Sequence, residues 1–238
     1  GSGNLCQVLS VTTGAIVRKL DRSEGRVRCV ALSHYGWHTL IGDFSNQVSV
    51  FRVDEGAQLF EFGRGMGVVH AVAATACGER DVVAVGGENL DSTDKACQGV
   101  ARVYDALSEE LIAEWWRPRE VFAIALVADG SQCAVGAYDG QVWVHDVWTD
   151  TVQHRLEFPS ANGQPPFFWS VCFSGDASKF AVGCWNGCVY VYDNLEVEID
   201  DESSFSERSM RTESMDEADA SAPPGAGGGG GSVLGGSE

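Results

Sequence analysis

His34 and His38 stand four apart in the stretch HYGWH. On a helix that spacing would turn both imidazoles to one face, as a zinc site needs. No Glu or Cys nearby supplies a third ligand, and the stretch reads as a turn between strands, so neither a metal nor a cofactor is expected. GRGMG, residues 63–67, has the glycines of a phosphate-binding loop. It joins strand to strand, however, with no helix N-terminus to hold an anion. No P-loop, GxSxG or HExxH is present. Carboxylates are plentiful, yet no pair stands out as acid and base. His145, beside Asp146, reads as a structural histidine.

The arginines and tryptophans carry more. Arg22, Arg26 and Arg28 lead into one apolar run, Arg64 into the next, and Arg117 and Arg119 into a third, with Trp116 and Phe168-Trp169 nearby. Arg and Trp dominate the energetics of many protein interfaces. The candidate partner-binding residues are therefore Arg26, Arg28, Arg64, Trp116, Arg117, Arg119 and Trp169. Arg28, His70, Phe122 and Trp169 fall at equivalent starts of successive apolar runs and should lie at similar height. The competing reading is solvated turns with aromatics packed between repeats.

These residues sit on a repeat. One apolar landmark falls at Val30, Val72, Ile124 and Val171. A glycine ending the next apolar run falls at Gly42, Gly86, Gly136 and Gly183. A third series is Phe51-Arg52, Tyr104-Asp105, His145-Asp146 and Tyr192-Asp193. The three advance nearly together, so the register is real, and a polar insertion at 86–99 lengthens one copy. Each copy holds four short runs rich in β-branched and aromatic residues, broken by turn residues such as ADG and YDG. Sustained helical periodicity is absent. Four antiparallel strands per repeat describe one blade of a β-propeller.

Across residues 5–194 the chain resembles the WD-repeat β-propellers. Tyr104-Asp105, His145-Asp146 and Tyr192-Asp193 hold the place of the family's terminal Trp-Asp, and Asp139-Gly140 and Asn186-Gly187 match its turn before the third strand. The family's Gly-His pair is missing, and Phe51-Arg52 lacks the aspartate. The expected fold is all-β: a β-propeller fragment over 1–199, with blades at about 27–62, 69–115, 121–158 and 167–199. A leading half blade, 5–20, aligns with the third and fourth strands of later repeats, which predicts an open arc cut mid-blade. Residues 195–199 are expected to form a last strand.

From residue 195 on, 11 acidic residues stand against 2 arginines, with Ser, Pro and Gly filling the rest. Such a segment cannot offset the entropy of ordering, so 200–238 reads as a disordered acidic tail. The whole chain carries a net charge of −18, which argues against nucleic acid as a partner. Its longest apolar run, VFAIALVA, is too short to span a bilayer. None of the eight cysteines forms CxxC. Cys29, Cys133, Cys172 and Cys184 fall in strands, where a free Cys packs as a small buried hydrophobe, and read as reduced structural thiols of a cytoplasmic or otherwise intracellular protein.

The resemblance implies a non-catalytic protein-interaction scaffold. Its partners would be other proteins, including acidic or phosphorylated peptides. The alternatives are a sensor or regulatory propeller of a larger enzyme, or a propeller enzyme with its site in the central channel.

Overall fold

Runs such as Val82-Val83-Ala84-Val85 are buried at every position, inward and outward alike. A strand of this kind needs a covering layer on both faces of its sheet, and the fold supplies one. The computed structural model describes residues 5–21, 25–33, 36–44, 46–63, 65–75, 81–90, 97–158 and 167–193. Among them every regular element is a strand.

The strands are β1 (Leu5–Leu9), β2 (Ile16–Asp21), β3 (Val27–Leu32), β4 (His38–Asp43), β5 (Val48–Arg52), β6 (Gln58–Phe62), β7 (Met66–Ala74), β8 (Val82–Asn89) and β9 (Gly99–Asp105). They continue as β10 (Leu111–Arg117), β11 (Val121–Leu126), β12 (Gln132–Ala137), β13 (Gln141–Asp146), β14 (Val152–Glu157), β15 (Phe168–Phe173), β16 (Lys179–Cys184) and β17 (Val189–Asp193). Each pairs antiparallel with its neighbour in sequence, giving a two-stranded sheet, three four-stranded sheets and a last sheet of three described strands. The all-β, four-stranded expectation is met. The expected strand at 195–199 and the tail at 200–238 lie outside the described residues.

The repeat landmarks acquire physical reasons. Asp105 Oδ1 accepts the N–H groups of Leu107 and Ser108, and Asp146 Oδ1 those of Trp148 and Thr149. Each aspartate thus closes the turn into its sheet's fourth strand. Asp139 and Asn186 do the same before the third strands, accepting from Gln141 N and Cys188 N. The glycines that follow them, Gly140 and Gly187, take φ of 82° and 83°, where other residues would be strained.

Successive sheets pack face to face. Leu20, Cys6 and Val8 of the leading pair meet Ile41 and Phe51. Leu40, Val48, Val50 and Phe62 meet Val69, Val72, Val85 and Val100. Ala84, Ala101 and Val103 meet Val121, Ile124 and Val135. Ala125, Val142 and Val144 meet Phe168, Val171 and Val182.

The glycine landmark series is part of these seams. A Cβ on Gly42 would come 2.8 Å from Val69 Cγ1 of the next sheet, and one on Gly86 would come 2.6 Å from Val121 Cγ1. At Gly136 the corresponding partner is Phe168 Cβ, at 3.6 Å. Gly183 is the fourth member of the series, and among the described residues a Cβ there would meet only Ser170 of its own sheet. Beside it Val189 and Val191 are 64% and 58% exposed, whereas their equivalents Val142 and Val144 are fully buried. The outward face of β15–β17 thus repeats the residue pattern of a covered seam. Cys172 lies on this face and is exposed, which corrects its reading as a buried thiol.

Candidate functional site: a row of bulged residues

The first strand of every larger sheet loses register with the second at one equivalent residue, and β7 slips once more, between Met66 and Val69. The irregularities fall between Val27 and Cys29, Val69 and Ala71, Val121 and Ala123, and Phe168 and Ser170. The residues inside them are Arg28, His70, Phe122 and Trp169. A bulge frees one side chain from the alternation of its strand and re-aims it. Because β3, β7, β11 and β15 run side by side, four re-aimed side chains form one row.

Arg28 Nε donates to His70 Nδ1 at 3.4 Å. The His70 ring stacks on Phe122, with centroids 4.2 Å apart and planes 16° from parallel. Phe122 meets Trp169 edge to face at 5.8 Å. A second row lies beside the first, built from Phe44, Glu88, Tyr138 and Trp185. The Arg28 guanidinium sits 5.9 Å from the Phe44 ring centre, and Glu88 Oε1 lies 3.5 Å from His70 Nε2. Tyr138 tilts against Phe122 at 5.7 Å, and Trp185 against Trp169 at 5.4 Å. Phe167 stacks on Tyr138 at 4.0 Å, and Arg119 lies over the same ring at 5.2 Å. The result is a ledge of rings with cations at Arg28 and Arg119 and carboxylates at Glu88 and Glu120. Trp169 and Trp185 are 49% and 67% exposed, so its indoles face solvent.

Of the residues singled out in the sequence, Arg28, Arg119 and Trp169 meet on this ledge. Arg26 is exposed beside it, and its carbonyl accepts Phe44 N–H at 3.2 Å. Trp116 is exposed on β10, the strand farthest from β7 in its sheet, and stands apart from the row. Arg64 lies outside the described residues. Arg117 needs correction. It is the last residue of β10, only 3% exposed, and not a rim side chain open to a partner. Its guanidinium packs over the Trp143 ring at 4.0 Å, and Nη2 reaches Asp139 Oδ2 and Gln141 Oε1, each at 3.4 Å.

The second row escaped the sequence reading although it carries a signal. Phe44, Glu88, Tyr138 and Trp185 each stand two residues after a glycine of the landmark series. In three of the sheets the residue's own N–H fixes it: Phe44 N donates to Arg26 O, Tyr138 N to Glu120 O and Trp185 N to Phe167 O. Nothing in the row pairs a nucleophile with a base. Among the described residues no group of three His, Cys, Asp or Glu side chains could hold a metal ion.

His145 is buried in the seam between the second and third large sheets, stacked on Trp115 at 4.1 Å, with Trp143 at 6.0 Å. Neither ring nitrogen meets a hydrogen-bond partner among the described residues. Burial, reinforced by the Arg117 charge and opposed by Asp150, pulls its pKa from 6.5 down to about 4. The unfolded chain therefore takes this proton first as pH falls. The stability tied to neutral His145 is complete above pH 6.5 and is lost as pH approaches about 4. The loss across that window should be about 3 kcal/mol. His145→Phe keeps a ring in the stack and removes the proton. Urea unfolding at neutral and acid pH should show a shallower acid loss in this variant. An identical loss in both proteins would remove His145 as the cause.

Comparison of the chain with protein-family models and with curated proteins finds no match.

Proposed function

We propose that this chain is a stretch of WD-repeat-like β-propeller acting as a non-catalytic scaffold, and that the ledge is where it holds a partner protein. The observation that carries this reading is the contiguous row Arg28–His70–Phe122–Trp169, one bulged residue from each successive sheet. Bulges cost regular pairing and concentrate at functional positions. Four at one height, with Trp185 and Arg119 beside them, present exposed indoles and arginines like the aromatic and Arg anchors that dominate interfaces. The propeller reading is supported by the repeated face-to-face seams and by the aspartate-closed turns. On a chain of net charge −18, Arg28 and Arg119 give an acidic or phosphorylated peptide a local place to dock. An intracellular setting fits the described cysteines, all of which are free.

The test is a pull-down from a matching lysate with Arg28→Glu, Arg119→Glu and Trp169→Ala. Each should weaken a specific partner by about 2 kcal/mol, roughly thirtyfold. Arg52→Glu, at the opposite end of the first large sheet, should leave binding intact. Partners that survive all three ledge changes and are lost with Arg52→Glu would place the interface at the other end.

A further inference from the structure

His70 is the one titratable member of the first row, and its two nitrogens are unequally placed. Nδ1 faces the Arg28 Nε–H at 3.4 Å, so its lone pair accepts and it carries no hydrogen. The ring hydrogen is then on Nε2, which is buried, lies 3.5 Å from Glu88 Oε1 and makes no hydrogen bond among the described residues. One ring face is covered by Phe122, and the side chain is 9% exposed. A second proton has only Nδ1 to occupy, where it would point at the Arg28 N–H. Two donors cannot share that contact. Cationic His70 and the present position of Arg28 therefore exclude each other, unless an acceptor comes between them.

We infer that Arg28 and His70 together form a proton-linked site for an oxyanion group of the partner. This rests on the reading of the ledge as a binding face and adds its regulation and the chemistry of the group held. An oxyanion accepts from the guanidinium and from Nδ1–H of a protonated imidazole at once, so binding draws a proton onto His70. The charged groups facing His70 are Arg28 from β3, Glu88 from β8 and Glu120 ahead of β11. Burial and Arg28 hold its pKa below the ordinary value, while Glu88 and Glu120 pull the other way. A bound anion would offset the Arg28 charge and raise the pKa. By linkage, the anion must then bind tighter as pH falls. Beside the site, Phe122 and Trp169 offer an aromatic surface to whatever carries the anion.

The probe is phenyl sulfate, whose charge does not change over the range used. On the full chain, its affinity is read from tryptophan fluorescence, and the His70 ring is titrated by NMR with and without saturating probe. Affinity should rise about fivefold or more between pH 7.5 and 5.5, with the His70 pKa moving up when the probe is bound. His70→Gln should bind with a flat pH profile, and Arg28→Ala should bind weakly throughout. Phenyl sulfate that fails to bind wild-type protein at pH 5.5, or binds with an unmoved His70 pKa, overturns the inference. The wild-type NMR titration needs no variant to fold. A flat profile together with partner loss in the ledge variants leaves the interaction reading standing and removes only the proton linkage. Linked phenyl sulfate binding with partners unaffected does the reverse.

Discussion

Gly99→Ala should unfold the protein more readily than any conservative change on its surface. Gly99 opens β9, paired with Glu88 on one side and Arg117 on the other. The connection from β10 to β11 crosses directly over it. An added Cβ would run into the Arg119 carbonyl oxygen, 2.7 Å from its carbonyl carbon and 3.0 Å from Glu120 Cα. These are backbone atoms, so no rotamer change relieves the overlap. The connection cannot lift easily either, because Arg117 is buried at one end and Glu120 O accepts Tyr138 N–H at 2.9 Å at the other. Overpacking against side chains costs about 1–3 kcal/mol, and a backbone clash should reach about 3 kcal/mol or more. Against a total stability of about 5–15 kcal/mol, the thermal midpoint should fall by roughly 10 °C. Gly175→Ala is the control, since among the described residues nothing lies within 4 Å of a Cβ there. Melting curves followed by far-UV circular dichroism decide the matter. If the two variants melt together, the close approach is not as described. The same substitution moves Arg119, so residual folded protein should also bind partners poorly.

Arg117→Ala should be nearly as costly, for an electrostatic reason. The guanidinium is held by the Trp143 ring, Asp139 and Gln141, with Arg155 over the same ring at 5.0 Å. Removing it leaves the mostly buried Asp139 without its cation and opens a void beside the indole. Breaking a buried pair from one side typically costs about 3–5 kcal/mol. Arg117→Met with Asp139→Asn removes both charges and refills the space, so it should recover much of that loss. Arg117→Lys should not, because an ammonium cannot lie flat on the ring. Urea unfolding of the three variants separates these outcomes, with Trp143 fluorescence as a local probe. A single variant no less stable than the double would show that the pair contributes nothing.

These two sites mark where the sequence stops being legible. The strands were readable because each repeat shows the same apolar runs and turn residues at nearly the same spacing. The first row of the ledge was readable for the same reason, since Arg28, His70, Phe122 and Trp169 occupy one repeat position. That each sits in a bulge was not readable, because one residue of slipped register leaves the composition unchanged. Arg117 misled because Trp-Trp-Arg-Pro-Arg looks like an exposed turn. Only the next sheet, bringing Trp143, Asp139 and Gln141 over it, makes it a core residue. The second row was missed because Phe44, Glu88, Tyr138 and Trp185 share a position but no chemistry. Cys172 misled in another way: its run matches a covered seam, and solvent reaches a face that the pattern alone would place inside.

The glycine series also sets how freely each seam can drift. Gly42 and Gly86 receive a valine so closely that even a methyl group has no room. At Gly136 the nearest atoms are the Ala123 Cβ at 3.3 Å and the Phe168 Cβ at 3.6 Å, so an alanine nearly fits. The seams at Gly42 and Gly86 are therefore frozen to one residue type, while the one at Gly136 tolerates drift. Looser contact also means less resistance to local opening, since each sheet is held chiefly by its neighbours. Among the larger sheets, thermal fraying should begin at β15–β17, which packs on one other described sheet through the roomiest of these three seams, and travel inward. Trp169 and Trp185 ride on that sheet while Arg28 and His70 ride on the two tight ones. The aromatic end of the ledge is thus on the part of the fold that breathes, and the charged end on the part that does not.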